Sequence, residues 1–136
     1  MSSSVVTGSC LCGGVRFEVE LPFLGFRYCH CSRCRKASGS AHAANAFVMA
    51  NQFRWLAGEP LIKRFDLPGA KSFAVWFCTQ CGTRLPHKQK TTERILVPAG
   101  LLDGDPKIRP EYHQYWKSKA AWYELPHELP RFDEHG

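Results

Sequence analysis

Between Val15 and Leu21 apolar and polar side chains alternate without a break. That is the period of a strand with one buried face. Pro22 ends the run, and Phe26–Cys29 starts another short extended piece. Cys31–Ser38 predicts a turn or two of helix, with Gly39 as its stop. His42–Met49 reads as a buried strand, and Phe53, Trp55 and Leu56 predict a further one closed by Gly58-Glu59-Pro60. Leu61–Leu67 and Lys71–Cys78 flank Pro68-Gly69 and predict a hairpin. Thr83–Pro86 and Arg94–Ala99 are two more extended candidates. Glu111–Trp116, after the turn-rich Asp103-Gly104-Asp105-Pro106, is the last. No segment sustains a helical period, so the pattern predicts a mainly β fold with no helix beyond about three turns. Pro126–Gly136 has little periodicity and fits either an extended strap or a loose tail.

At 136 residues, 44% of them hydrophobic, the chain has the size of a single domain. Its core is expected over about residues 8–130, with 131–136 as a tail. Met1-Ser2-Ser3-Ser4 lacks the basic start of a signal peptide, and the most apolar runs, Ala43–Ala50 and Phe73–Cys78, are far too short to span a membrane. The expectation is a soluble, cytoplasmic protein without a membrane partner. Its formal charge of +6 is compatible with nucleic acid or with anionic small molecules. The cations are scattered, however, and the aromatic residues show no RNA-binding signature, which argues against nucleic acid. The densest basic cluster is Arg33, Arg35 and Lys36. Nothing in the sequence specifies an oligomeric state.

The cysteines change this picture most. Cys29, Cys31 and Cys34 fall within six residues. A disulfide between two of them would strand the third, whereas a thiophilic metal lets closely spaced sulfurs converge on one point. Cys10-Leu11-Cys12-Gly13 and Cys78-Thr79-Gln80-Cys81-Gly82 are each a two-thiol hook followed by glycine, and two such hooks make a four-sulfur cage. Seven cysteines thus divide into four plus three. The odd count and a reducing compartment favour metal over disulfides, and zinc is the default ion. Four thiolates make a closed structural site, while three leave a position open for water or substrate.

Three stretches carry a family resemblance. They are Gly8-Ser9-Cys10-Leu11-Cys12-Gly13-Gly14-Val15-Arg16-Phe17, Cys29-His30-Cys31-Ser32-Arg33-Cys34-Arg35-Lys36-Ala37-Ser38-Gly39 and Phe77-Cys78-Thr79-Gln80-Cys81-Gly82-Thr83. In this order they resemble the glutathione-dependent formaldehyde-activating enzyme family, and His113–Trp122 resembles that family's ending. The resemblance spans about Gly8 to Pro130. It implies a zinc-stabilised β-tent of coiled antiparallel sheets. It also implies two zinc ions per chain: a structural one on Cys10, Cys12, Cys78 and Cys81, and a catalytic one on Cys29, Cys31 and Cys34. The activity it implies is that of a carbon–sulfur lyase of the S-(hydroxymethyl)glutathione synthase type, with a small thiol such as glutathione as partner.

The donor set points the same way. Three thiolates around a zinc dication leave a net charge of −1, which suits a soft thiol better than activation of water. With three ligands the second zinc should be held less firmly than the first. Arg33, Arg35 and Lys36 are candidates to grip substrate carboxylates, or they merely offset the cluster's charge. His30, between two of the ligands, could supply a proton or a fourth ligand, but strand alternation should turn it away from the metal, which favours packing. His42, His87 and His113 read as satisfied structural histidines, and Trp55, Trp76, Trp116 and Trp122 as core or pocket wall. Two other classes stay open: a zinc-stabilised binding module, and a redox sensor in which the three clustered thiols form reversible disulfides.

Overall fold

The computed structural model describes residues 4–124 and 129–136. Its strands are β1 (Val5–Ser9), β2 (Arg16–Glu20), β3 (Gly25–Cys29), β4 (Ala43–Met49), β5 (Phe53–Ala57), β6 (Ile62–Asp66), β7 (Ala74–Cys78), β8 (His87–Lys88), β9 (Arg94–Pro98) and β10 (Tyr112–Gln114). The one α-helix among them, α1 (Ser32–Ser38), has seven residues and ends at Gly39 in the left-handed conformation. The fold is therefore mainly β.

Three sheets form: β1-β2-β5, β10-β3-β4-β9-β8, and the hairpin β6-β7. The alternation read at Val15–Leu21 becomes β2, whose Phe17 and Val19 are fully buried. With Val6 of β1 they meet Phe26, Ala46, Val48, Ile95 and Val97 of the larger sheet in the principal core. Burying side chains of that size stabilises by about 1.5–3 kcal/mol each before entropy is counted. A second, smaller core gathers Cys10, Val15, Cys78 and Leu85, and a third Cys29, Cys34 and Ala43. The cysteines are thus part of the packing.

Several expectations need correction. The chain enters through β1, which was not foreseen. Thr83–Pro86 forms no strand: it makes a single bridge, Phe77 with Arg84, before the short β8. β10 pairs with β3 in parallel, so the sheets are not wholly antiparallel. Trp116 and Trp122 are 47% and 65% exposed and belong to no core. At the C-terminal end, residues 129–136 carry neither strand nor helix and are exposed throughout. Leu125–Glu128 lie outside the described residues. Among the described residues no helix is long and apolar enough to cross a membrane.

Candidate metal centres and the cavity over the triplet

The first hook turns at Gly13 (φ 78°) and the second at Gly82 (φ 80°), a conformation glycine adopts without the Cβ clash that other residues suffer. Gly13 N–H donates to the Cys10 carbonyl (3.1 Å), and Gly82 N–H to the Cys78 carbonyl (2.7 Å). Each turn aims two sulfurs at the same point. The β6–β7 hairpin carries Cys78 to the end of β1, and all four Sγ atoms of Cys10, Cys12, Cys78 and Cys81 lie within 4.8 Å of one another. The Cys10–Cys12 and Cys12–Cys78 sulfurs are 3.6 and 3.9 Å apart. Sulfurs about 2.3 Å from a tetrahedral zinc are separated by about 3.8 Å. The spacing of the cage therefore suits that ion.

Donors converge on the same sulfurs. Val15 N–H donates to Cys10 Sγ (3.3 Å). Thr83 Oγ1 lies 3.2 Å from Cys81 Sγ, and this bond is the first cause that brings the Cys81 thiol down to about 5. Charge-favouring contacts of this kind make thiolates available to a metal.

The triplet is built from one junction. β3 delivers Cys29, Cys31 is the N-cap of α1, and Cys34 lies on the helix's first turn. Cys34 N–H donates to Cys31 Sγ at 3.3 Å, so the cap itself is a thiol. The three Sγ atoms also lie within 4.8 Å of one another, which makes this a second group suitable for zinc. Cys29 and Cys34 are buried and Cys31 partly so. A bond from Cys34 pulls the Cys29 thiol down to about 6, and the same bond pushes Cys34 up. His30 is turned to the far side of β3, as alternation requires. It is fully buried there, with its Nε2 2.8 Å from His113 Nδ1 and its ring among His42, Trp116 and Tyr123.

A cavity of about 680 Å³ opens over the triplet, a size that suits a small organic ligand. All three cysteines line it, together with Phe73, Trp76 and Leu96 as apolar wall and the cations Arg33, Lys71, Lys88 and Lys90. No aspartate or glutamate is among its described lining residues. Of the three basic residues singled out in the sequence, only Arg33 reaches this cavity. Arg35 and Lys36 fall on the last turn of α1, where they complement the helix dipole. The lysines come from the turn between β6 and β7 and from the β8–β9 hairpin, 40 to 60 positions away in sequence, beyond the reach of local pattern reading.

Two further residues were missed or misjudged. His87 stacks on Trp76 (ring centroids 4.5 Å apart, 10° between planes) in the cavity wall, and its buried Nδ1 has no partner, so it is not a satisfied histidine. Burial, aided by the nearby Arg84 charge, holds its imidazole down to about 4. Arg84 itself runs toward the triplet: its guanidinium lies beside Cys34, in Coulombic range of Cys29 and Cys31. Its one sequence signal is a cation immediately before two buried residues, Leu85 and Pro86.

Comparison with known proteins agrees with this architecture. Residues 5–118 match the family described as glutathione-dependent formaldehyde-activating enzyme. A Halomonas elongata protein named "Putative glutathione-dependent formaldehyde-activating enzyme" is 30% identical over 131 residues, covering 89% of this chain and 81% of its own. A crystal structure of a Rhodobacter sphaeroides protein superposes with a TM-score of 0.62 at 28% identity, covering 79% of this chain and 98% of that one. With the family match spanning most of its length and both cysteine groups assembled, this chain belongs to the glutathione-dependent formaldehyde-activating enzyme family.

Proposed function

We propose that this chain is a zinc-dependent enzyme of carbon–sulfur chemistry. It joins a small thiol to an aldehyde, or releases the two from their adduct, and glutathione is the thiol its family name suggests. The observation that carries this reading is a three-thiol cluster lining a cation-rich cavity, whose wall includes none of the four cage cysteines. In this reading Cys10, Cys12, Cys78 and Cys81 hold a structural zinc, and Cys29, Cys31 and Cys34 hold a second with one position free. Zinc bound by three thiolates supplies a soft Lewis acid that favours a substrate thiolate over water.

The remaining work falls to side chains of the cavity. Arg33, Lys71, Lys88 and Lys90 receive the carboxylates of an anionic thiol, and Phe73, Trp76 and Leu96 pack on its carbon skeleton. Tyr115 and Ser118 present hydroxyls on the same wall that can donate to an aldehyde oxygen. In the forward direction a sulfur–carbon bond forms and the carbonyl π bond breaks. The thiol proton ends on the new hydroxyl oxygen, and no electrons enter or leave. The reverse reaction restores thiol and aldehyde.

The test is exchange spectroscopy of formaldehyde–thiol mixtures with the zinc-loaded protein, across a panel of neutral and anionic thiols. Faster exchange, abolished in Cys31→Ser, is the expected result. A protein that holds two zincs yet accelerates exchange with none of the thiols would be a binding module. Reversible peroxide-dependent loss of one zinc, again without acceleration, would point to a redox sensor.

A further inference from the structure

Arg84 is a half-buried cation without a carboxylate. Its Nε is inaccessible to solvent and has no hydrogen-bond partner, and among the described residues no acidic side chain pairs with it. A guanidinium stays protonated at any physiological pH, and a charge drawn partly out of water is destabilising unless a counter-charge lies beside it. The groups around Arg84 that can carry negative charge are Cys34, Cys29 and Cys31, and His87 also lies within its field; as metal ligands the three cysteines are thiolates.

The backbone on both sides of Arg84 is pinned, and the four-thiol cage does the pinning. Thr83 contacts Cys81 Sγ through its hydroxyl, which also accepts the Leu11 N–H at 3.0 Å, and its carbonyl accepts the Cys78 N–H at 2.9 Å. On the other side Leu85 N–H donates to the Trp76 carbonyl at 2.7 Å, and the fully buried Leu85 side chain packs in the core around Cys10 and Cys78. Arg84 between them bridges to Phe77 of β7. Leu85 pointing into the cage's core leaves Arg84 directed the opposite way, at the triplet.

We propose that Arg84 is a positioning residue of the open site: its guanidinium is the fixed counter-cation of the Cys29–Cys31–Cys34 cluster, held in place by the four-thiol cage. Three thiolates and a zinc dication sum to −1, and Arg84 brings that to zero. An incoming thiolate then meets a neutral site instead of a negative one. The closed cage thus serves the open site through the three-residue step from Cys81 to Arg84. This assignment rests on the reading of the triplet as a zinc site.

Competition with a chromogenic zinc chelator tests it, because two classes of zinc are resolved by affinity whether or not the protein is catalytic. In Arg84→Met the looser zinc should weaken on the order of 10- to 100-fold, the range typical of lost outer-sphere partners. The tighter zinc should be unchanged, and Arg84→Lys should recover most of the loss. In the cadmium-loaded protein, addition of mercaptoacetate should perturb the thiolate-to-metal absorption at higher concentration in Arg84→Met than in wild type, with a smaller change for neutral 2-mercaptoethanol. Should Arg84→Met not fold, Arg84→Gln against Arg84→Lys makes the same comparison of charge at similar reach. An unchanged looser zinc would overturn the assignment. So would equal weakening of both zincs without rescue by lysine, the signature of a packing role. If Arg84→Met weakens the looser zinc while the wild type accelerates no exchange, the catalytic reading fails and the Arg84 assignment stands.

Discussion

The two cysteine clusters use one ligand type and differ in how the chain reaches them. The cage draws two thiols from each of two segments some 66 residues apart, Cys12 and Cys78 being the near pair across the gap. Two hooks together supply the four sulfurs that a closed tetrahedral site needs, although Cys12 stays exposed. The triplet comes from a single strand–helix junction, and one segment can surround only one side. The other side is left to the cavity. Closure in this fold is thus a matter of topology more than of ligand count, and the sharpest experiments set one cluster against the other.

The largest contrast is in folding. Cys81→Ser should leave the protein insoluble or unfolded, because cage binding contributes folding free energy directly, on the order of 10 kcal/mol for structural zinc. Cys31→Ser should not. Serine at that N-cap still accepts the Cys34 N–H, so α1 keeps its cap while about one zinc and all thiol binding are lost. Metal analysis with thermal denaturation of both variants checks the pair. A soluble Cys81→Ser protein with unchanged melting temperature and zinc content would erase the distinction.

The contrast also marks where sequence reading reached and where it stopped. The hooks, the triplet, the helix cap at Gly39 and the β6–β7 hairpin are local patterns, each contained in one short stretch of chain, and all were legible. β1 was not, because Val5-Val6-Thr7-Gly8-Ser9 offers one buried apolar side chain, Val6, and becomes a strand only by pairing with β2. Thr83–Pro86 looked extended and is, but the turn at Gly82 and the missing N–H of Pro86 leave it a single bridge. The parallel partner of β10, the lysine rim and Arg84 depend on which distant segments meet. No period encodes that.

An intermediate effect should separate the cavity wall from the cage by acid. His87, in the wall of the open site, is held down to about 4, chiefly by burial, against about 6.5 in an unfolded chain. A folded-state value below the unfolded one means that the unfolded chain takes up the proton first. Stability is then unaffected above pH about 6.5 and falls as pH drops toward 4, by up to about 3 kcal/mol. His87→Gln, compared with wild type at equal zinc content, should flatten that slope in denaturant titrations between pH 6.5 and 4. Equal slopes would mean that His87 reaches solvent.

The smallest effects belong to the rim. Arg33, Lys71, Lys88 and Lys90 are exposed cations, and each exposed charge contributes about 0–1 kcal/mol to holding an anion. They are not equivalent. Lys88 already pairs with Glu93 at 3.2 Å, whereas Arg33, Lys71 and Lys90 have no acidic partner among the described residues. Lys71→Gln and Lys90→Gln should each weaken binding of a dicarboxylate thiol such as mercaptosuccinate by up to about fivefold. Lys88→Gln should do less, and none of the three should change binding of 2-mercaptoethanol. Because the rim faces water, raising salt from about 0.05 to 0.5 M shortens the screening length severalfold and should remove most of the difference. Calorimetric titration of the two thiols at both salt concentrations supplies the comparison. A neutral thiol that loses as much affinity as the dicarboxylate would show that the lysines shape the cavity without reading charge.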